Sequence, residues 1–382
     1  MIVRAGILYD GTMHVPRHNV DLVIEGGIVR ALRDVAGRCD YEAACVAPGL
    51  VNAHAHLEQN AQPDPLGAIA TTTVMQRVLQ ASANARKSLA AGVTTIRDLG
   101  ASHEIAIEIR EAVQSGTLPG PRISAAGRVL CMTGGHGWPI GRAIDGPWEA
   151  RKGVREQRLA GADCIKLIAT GGVLTKGAVP GIAQLTVEEM TAACEEAHRH
   201  GMRVAAHAIG TAGIKNALRS GVDSVEHGYM LDDEALALFK ERRAYLVPTL
   251  SAPTRILEHA EHGGQPEYVV RKARELDEHM VRNIRRALEA GVTIAGGSDA
   301  GTPFNYHENY ADEVLLMSSL LGMSAQQALH AATAVSAELV GLHRGILGAG
   351  EPADFLLLDS DIDCDLNALT RPIGVFKAGS AV

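Results

Sequence analysis

The sequence predicts an α/β protein: a (β/α)8 barrel of the TIM type, with a small β-sandwich made from the two ends of the chain. Three observations lead there. Between about residues 49 and 345, short apolar runs alternate with helix-length amphipathic segments. Several of the runs are announced by Ala-Gly or Ser-Gly followed by Val or Ala, as in AAGVTTI, LAGADCIK, RSGVDSVEH and EAGVTIAGG. Both ends of the chain lack any helix-length pattern.

The first 48 residues read as strands, in IVRAGILYDG and VDLVIEGGIVRAL, bounded by Gly, Asp and Pro. Strand-like runs return at Phe355 to Leu358 and Ile373 to Phe376. Residues 1–48 and 346–382 are therefore expected to pair as the small β-sandwich domain, and 49–345 to form the barrel domain. The barrel strands are Gly49–Ala53, Val93–Arg97, Arg122–Ala125, Cys164–Ile168, Arg203–Ala206, Ser224–Glu226, Tyr245–Val247 and Thr293–Ala295. Helices are expected at Val187–His200, Ala212–Ser220 and Asp233–Arg242. The repeated Gly is a helix stop, and the residues after it enter a buried parallel strand. A doubly wound open sheet would share this alternation, but no Gly-rich phosphate loop follows the first strand.

Composition narrows the function. The 382 residues carry a net charge of −8 with no basic stripe, which argues against nucleic acid as a partner. No apolar stretch reaches the length of a membrane span. The N-terminus meets Asp10 and Gly11 before a signal-peptide core could form, so a cytoplasmic location is expected. None of the six cysteines forms a C-x-x-C pair, and they read as reduced thiols. Histidine stands out, with 16 against 4 Phe, 2 Trp and 7 Tyr.

Position sorts those histidines. VNAHAHLE closes the first strand and places His54 and His56 two apart, on one strand face. In DCIKLIATGGV, Lys166 sits inside an apolar strand, where an unpaired ammonium is costly and its pKa should fall. It is either paired with a carboxylate or a neutral amine that has taken up carbon dioxide. VAAHAIG and SVEHGY end in His207 and His227 plus its near neighbour Tyr229, and IAGGSDAG carries Asp299. Four imidazoles, a Lys and an Asp thus fall at the C-terminal ends of barrel strands, where such barrels place their active sites. MTGGHGWPIG sets His136 in a Gly-flanked loop able to reach over the mouth, and GGVLTKGAVPG, with Gly171 and Gly172, is a second mobile loop. Cys164 shares the face of Lys166 but has no base in the pattern, and reads as a packed thiol. The other histidines, among them His14, His18, His198, His200, His259 and His262, fall in turns or on helix faces.

Taken in order, APGLVNAHAHLE, GVTTIRDLG, IKLIATGGV, VAAHA, SVEHG, GGSDAGTP and GAGEPADFLLLD resemble the amidohydrolase superfamily along essentially the whole chain. The resemblance implies a binuclear enzyme. His54, His56 and Asp299 would hold one metal, His207 and His227 the other, and Lys166 as its N6-carboxylated form would bridge them. Zinc is the first choice for both divalent ions, with manganese, iron or cobalt as alternatives. TGGHG and K-x-x-x-T-G-G-V are most similar to the imidazolonepropionase-related dipeptidases and carboxypeptidases, which act on Xaa-Pro or Xaa-Arg/Lys dipeptides and N-acyl amino acids. The resemblance places His136 and Tyr229 near the substrate carboxylate. Leu174-Thr175 and the segment EQNAQPDPLG depart from the pattern, both in substrate loops.

The expected activity is hydrolysis of an amide in a dipeptide or N-acyl amino acid by a metal-bridging hydroxide, with Asp299 as catalytic proton shuttle. Cyclic-amide hydrolysis or deamination is the alternative within enzymes, and a non-catalytic assembly protein the alternative outside them. A small-molecule substrate is the expected partner, and a homo-oligomer is compatible with the sequence.

Overall fold

A computed structural model describes residues 1–342 and 345–382. Two parallel sheets form the centre. One has three strands, Leu50–Ala55, Val93–Asp98 and Arg122–Ala125. The other has six, in the order Tyr245–Val247, Ser224–His227, Arg203–Ala208, Cys164–Ile168, Val129–Cys131 and Gly141–Ala143. The inner strands are buried along their whole length, as parallel strands covered by helices must be.

Seven of the eight expected barrel strands are regular. The eighth, Thr293–Ala295, is not. Its backbone makes only an isolated bridge, Ile294 to Leu246, and Ala300 makes another to Ala55. The physical reason lies in GGSDA. Gly297 is packed so tightly that a Cβ would meet Val247 and the His54 backbone within 3 Å, and Asp299 takes a left-handed φ of 59°. The segment still joins its neighbours, since Leu246 N–H donates to Thr293 O, Ala53 N–H to Gly296 O and His56 N–H to Ala300 O. On the opposite side, Arg122–Ala125 and Cys164–Ile168 are not paired to each other, so the strands do not form one closed hydrogen-bonded sheet among the described residues.

Local signals account for the helices. Thr186 and Glu189 form a reciprocal capping box at the start of Val187–Arg199, and Asp232 caps Asp233–Arg242. Helices Pro147–Ala160 and Thr211–Ser220 stop at Gly161 and Gly221, with φ of 98° and 89°, as the repeated Gly signal predicts. The next strands then pair in register, Ile168 beside His207 and Ala208 beside His227. The candidate residues therefore arrive at one edge.

The two ends of the chain combine in one mixed sheet of seven strands. Tyr41–Pro48 pairs parallel with Ile2–Leu8 and antiparallel with Phe355–Leu358. The sheet curls on itself, because Val29 N–H donates to Glu351 O and Ala353 N–H to Gly27 O. It encloses its own apolar cluster, including Val3, Leu22, Val46, Phe355 and Phe376. Arg122 reaches across from the central strands to Asp354, and Lys377 donates to Gly120 O at 2.6 Å.

Phe355 is fully buried and stacks on Phe376 with ring centroids 4.4 Å apart. Phe355→Ala should lower the unfolding free energy by about 3–5 kcal/mol in denaturant titration, with its loss confined to stability.

Candidate metal centre and active site

All eight side chains singled out from sequence line one cavity: His54, His56, His136, Lys166, His207, His227, Tyr229 and Asp299. His54 closes the first strand and His56 lies just beyond it. Both Nε2 atoms lie 3.3 Å from Asp299 Oδ1. One ligand atom from each of these three residues falls within 4.8 Å of the other two. Lys166 Nζ is 3.4 Å from His54 Nε2. His207 and His227 stand outside that tight set. Their rings lie 4.5 Å apart by centroid, and His227 is 5.3 Å from His54.

The outer nitrogens of two rings are hydrogen-bonded. His56 Nδ1 sits 2.8 Å from Gly100 O and His227 Nδ1 2.8 Å from Thr249 Oγ1, whereas His54 Nδ1 lies 2.9 Å from Glu226 Oε2 without hydrogen-bond geometry. Such contacts fix ring orientation and leave Nε2 facing inward, as metal-binding histidines require. His207 differs. Its Nε2 lies 3.1 Å from Gly171 O, which leaves Nδ1 as its free nitrogen.

Protonation also fits cation ligands. Burial, followed by the charges of Lys166 or neighbouring histidines, holds His54, His207 and His227 well below the usual imidazole range. His56 is the exception: burial opposes its charge, but the hydrogen bond and charge of Asp299 outweigh burial and raise it. Burial opposes ionisation of Asp299 as well, yet the facing His54, His56 and Lys166 keep it below the usual carboxylate range. Neutral imidazoles around an ionised carboxylate are the donor set a divalent cation binds.

Lys166 has no carboxylate partner within ion-pair distance among the described residues, so the paired reading of its sequence environment does not hold. Burial lowers its amine to about 8. Cys164, one face position away, is a packed thiol 3.9 Å from Ser124 Oγ, pushed up to about 11 by burial.

The two loops behave less freely than their glycines imply. A Cβ on Gly172 would strike the His136 ring at 2.3 Å, and one on Gly171 would strike Val179 O at 2.2 Å. These glycines pack the loop on the protein itself. His136 is half-buried, held by Thr175 Oγ1 at 2.8 Å from Nδ1, and burial lowers it to about 3. Tyr229 is 2% exposed and turns its hydroxyl toward Thr249, 2.9 Å from Oγ1. The rest of the lining is largely apolar, including Leu66, Val129, Ile140, Val173, Leu174 and Ile256.

Sequence reading passed over Arg97 and Glu226. Both are buried, with Arg97 Nη2 3.0 Å from Glu226 Oε1, and Glu226 Oε2 lies 2.9 Å from His54 Nδ1. Each is a charge inside an apolar run, the same signal that marked Lys166. Thr249 carried no local signal.

The amidohydrolase family model matches residues 45–382. Ochratoxinase of Aspergillus niger is 29% identical over 421 residues, covering 98% of this chain and 84% of that protein. The crystal structure of a Xaa-Pro dipeptidase with methionine bound in its active site superposes with a TM-score of 0.91 at 33% identity, covering 100% of this chain and 99% of that one. A prolidase complexed with N-methylphosphonate-L-proline superposes equally well, at 27% identity over 100% and 99% of the two chains. With its family match spanning nearly the whole chain, this protein belongs to the amidohydrolase family, and it is a hydrolase acting on amide carbon–nitrogen bonds.

Proposed function

We propose that the protein is a binuclear metal-dependent hydrolase that cleaves an amide bond in a dipeptide or an N-acyl amino acid. The observation that carries this reading is the convergence of His54, His56, Lys166, His207, His227 and Asp299 on one cavity, with three of the four imidazoles held neutral by burial. His54, His56 and Asp299 would hold one divalent cation and His207 and His227 a second, with Lys166 as the bridging ligand. Zinc is the first choice, with manganese, iron or cobalt also matching the set's nitrogen and oxygen donors. When bound, the cations supply Lewis acidity and an activated water, the chemistry amide hydrolysis needs at neutral pH. The likeness to ochratoxinase and to Xaa-Pro dipeptidases supports an amide substrate of this size.

The chain's own residues would do the rest. Lys166, as a free amine, would add to carbon dioxide: an N–C bond forms as one C=O π bond opens onto oxygen, and one of the amine's N–H protons leaves to solvent, giving an anionic oxygen donor. Asp299, ionised and left-handed in backbone, is placed to take a proton at its free oxygen and deliver it to the leaving nitrogen. Tyr229 and His136 border the side where a substrate carboxylate would lie. The apolar walls enclose the substrate and exclude water. In the same reading, residues 49–345 form a (β/α)8 barrel domain, and residues 1–48 with 346–382 form a small β-sandwich domain.

Metal analysis of the purified protein should return two cations per chain, and chelation should abolish turnover across a panel of dipeptides and N-acyl amino acids. One tight cation and no amide turnover would point to a deaminase instead. Lys166→Ala should lose the second cation and lower kcat by at least about 100-fold, because a bridging donor is removed. Full metal content and activity in that variant would sink the carboxylated-lysine assignment. Thr249→Ala frees His227 Nδ1 and should weaken metal affinity by about 10–100-fold in competition with a chelator.

The pH dependence of Lys166 loading follows from its lowered amine. Below about 8 the ammonium predominates and cannot add carbon dioxide; above it the amine is free. At fixed dissolved 13C-labelled carbon dioxide, the rate of label uptake by the metal-free protein, read as a carbamate carbon signal, should rise roughly fiftyfold between pH 6 and pH 8 and then level off. A flat profile would mean that Lys166 is not the group being modified.

A further inference from the structure

Val173 and Leu174 form part of the cavity wall, and the stretch Gly172–Thr175 that carries them is held by one turn of a distant helix. Lys272, on the helix Glu267–Glu289, is 7% exposed. Its Nζ donates to Thr175 O at 2.8 Å, Gly172 O at 3.2 Å and Val173 O at 3.4 Å. Tyr268, one helical turn earlier, donates its hydroxyl to Leu174 O at 3.1 Å, and its ring lies 5.2 Å below the Lys272 ammonium. The carbonyls of four consecutive residues are therefore collected by two side chains at i and i+4.

This is a costly arrangement for mere packing. A buried ammonium pays for leaving water, and Lys272 has no carboxylate partner among the described residues. What it holds faces the site. Val173 and Leu174 line the cavity, and Thr175 Oγ1 orients the His136 ring, against which Gly172 packs. The loop has few regular backbone bonds of its own, so its shape depends on the strap.

We propose that Lys272 and Tyr268 are positioning residues for substrate specificity. They fix the stretch Gly172–Thr175, and with it Val173 and Leu174 in the cavity wall, so that the pocket accepts a bulky apolar group beside the scissile amide. The inference rests on the amide-hydrolase reading for its substrates, while the strap itself is testable without turnover.

The test uses the metal-loaded full chain with Lys272→Met and Tyr268→Phe, assayed on N-acetyl-L-leucine and N-acetylglycine. Lys272→Met should raise KM for the leucine substrate about tenfold, keep kcat within about twofold, and leave KM for the glycine substrate within about twofold, because the bonds lost shape the wall and not the metal residues. Tyr268→Phe, which removes one bond and no charge, should shift KM in the same direction by less, and it carries the test if Lys272→Met does not fold. In parallel, hydrogen exchange in a peptide spanning residues 171–178 should accelerate about tenfold in the variants, with the strand Arg203–Ala208 unchanged. Equal KM changes for both substrates, a fall in kcat with loss of metal, or unchanged exchange in 171–178 would each overturn the proposal. If the wild type hydrolyses neither substrate, the N-acyl amino acid reading fails and the specificity proposal with it, while the exchange result decides whether the strap exists.

Discussion

The ion pair between Arg97 and Glu226 underlies the centre of the molecule. Both side chains are buried, at 1% and 0% exposure. Arg97 donates to Ala53 O at 2.7 Å and to Ser224 Oγ at 3.2 Å, so one guanidinium ties the first, second and sixth strands of the central array. Glu226 accepts from Ser224 Oγ at 2.6 Å and turns its other oxygen to His54. Removing two charges from water is expensive, and an apolar pair of similar volume would often be as stable. The pair is therefore better understood as a device for direction. It sets Glu226 Oε2 2.9 Å from His54 Nδ1, on the outer side of the ring whose Nε2 faces Asp299 and Lys166.

A second constraint is backbone strain collected at the same place. His227, Thr249 and Asp299 adopt φ of 75°, 48° and 59°, values that side-chain-bearing residues rarely take. Strained positions persist only where the surroundings over-determine them. Here the surroundings are visible. Asp299 N–H donates to His54 O, and His227 is pinned by Thr249, which also receives the Tyr229 hydroxyl. The strain and the hydrogen bonds that hold it belong to one unit, and that unit is the cavity floor.

Much of this was legible from the chain alone, for a physical reason. Strand–helix alternation is a local pattern, and a helix stop such as Gly161 or Gly221 acts within a few residues of itself. The residues at strand ends inherit their convergence from that regularity, which is why His54, Lys166, His207 and His227 could be placed together. What local pattern does not encode is a partner supplied from far away. Thr249 orients His227 from 22 residues on, and Lys272 holds carbonyls about a hundred residues earlier. The irregular eighth segment was read as a strand because its composition is apolar, while the close packing of Gly297 against His54 appears only in three dimensions. The terminal strands are legible as apolar runs, but their pairing order is not, because apolar runs do not record it.

That pairing order has a consequence for biogenesis. Tyr41–Pro48 is an interior strand of its sheet, flanked by Ile2–Leu8 on one side and by Phe355–Leu358 on the other. During synthesis the first flank is available at once, and the second only after roughly three hundred further residues have been made, about fifteen seconds or more at ordinary elongation rates. Throughout that interval the strand presents an open, largely apolar edge, the kind of surface that recruits other chains. The nascent chain is thus open to misassembly along Tyr41–Pro48 until Phe355–Leu358 has been made.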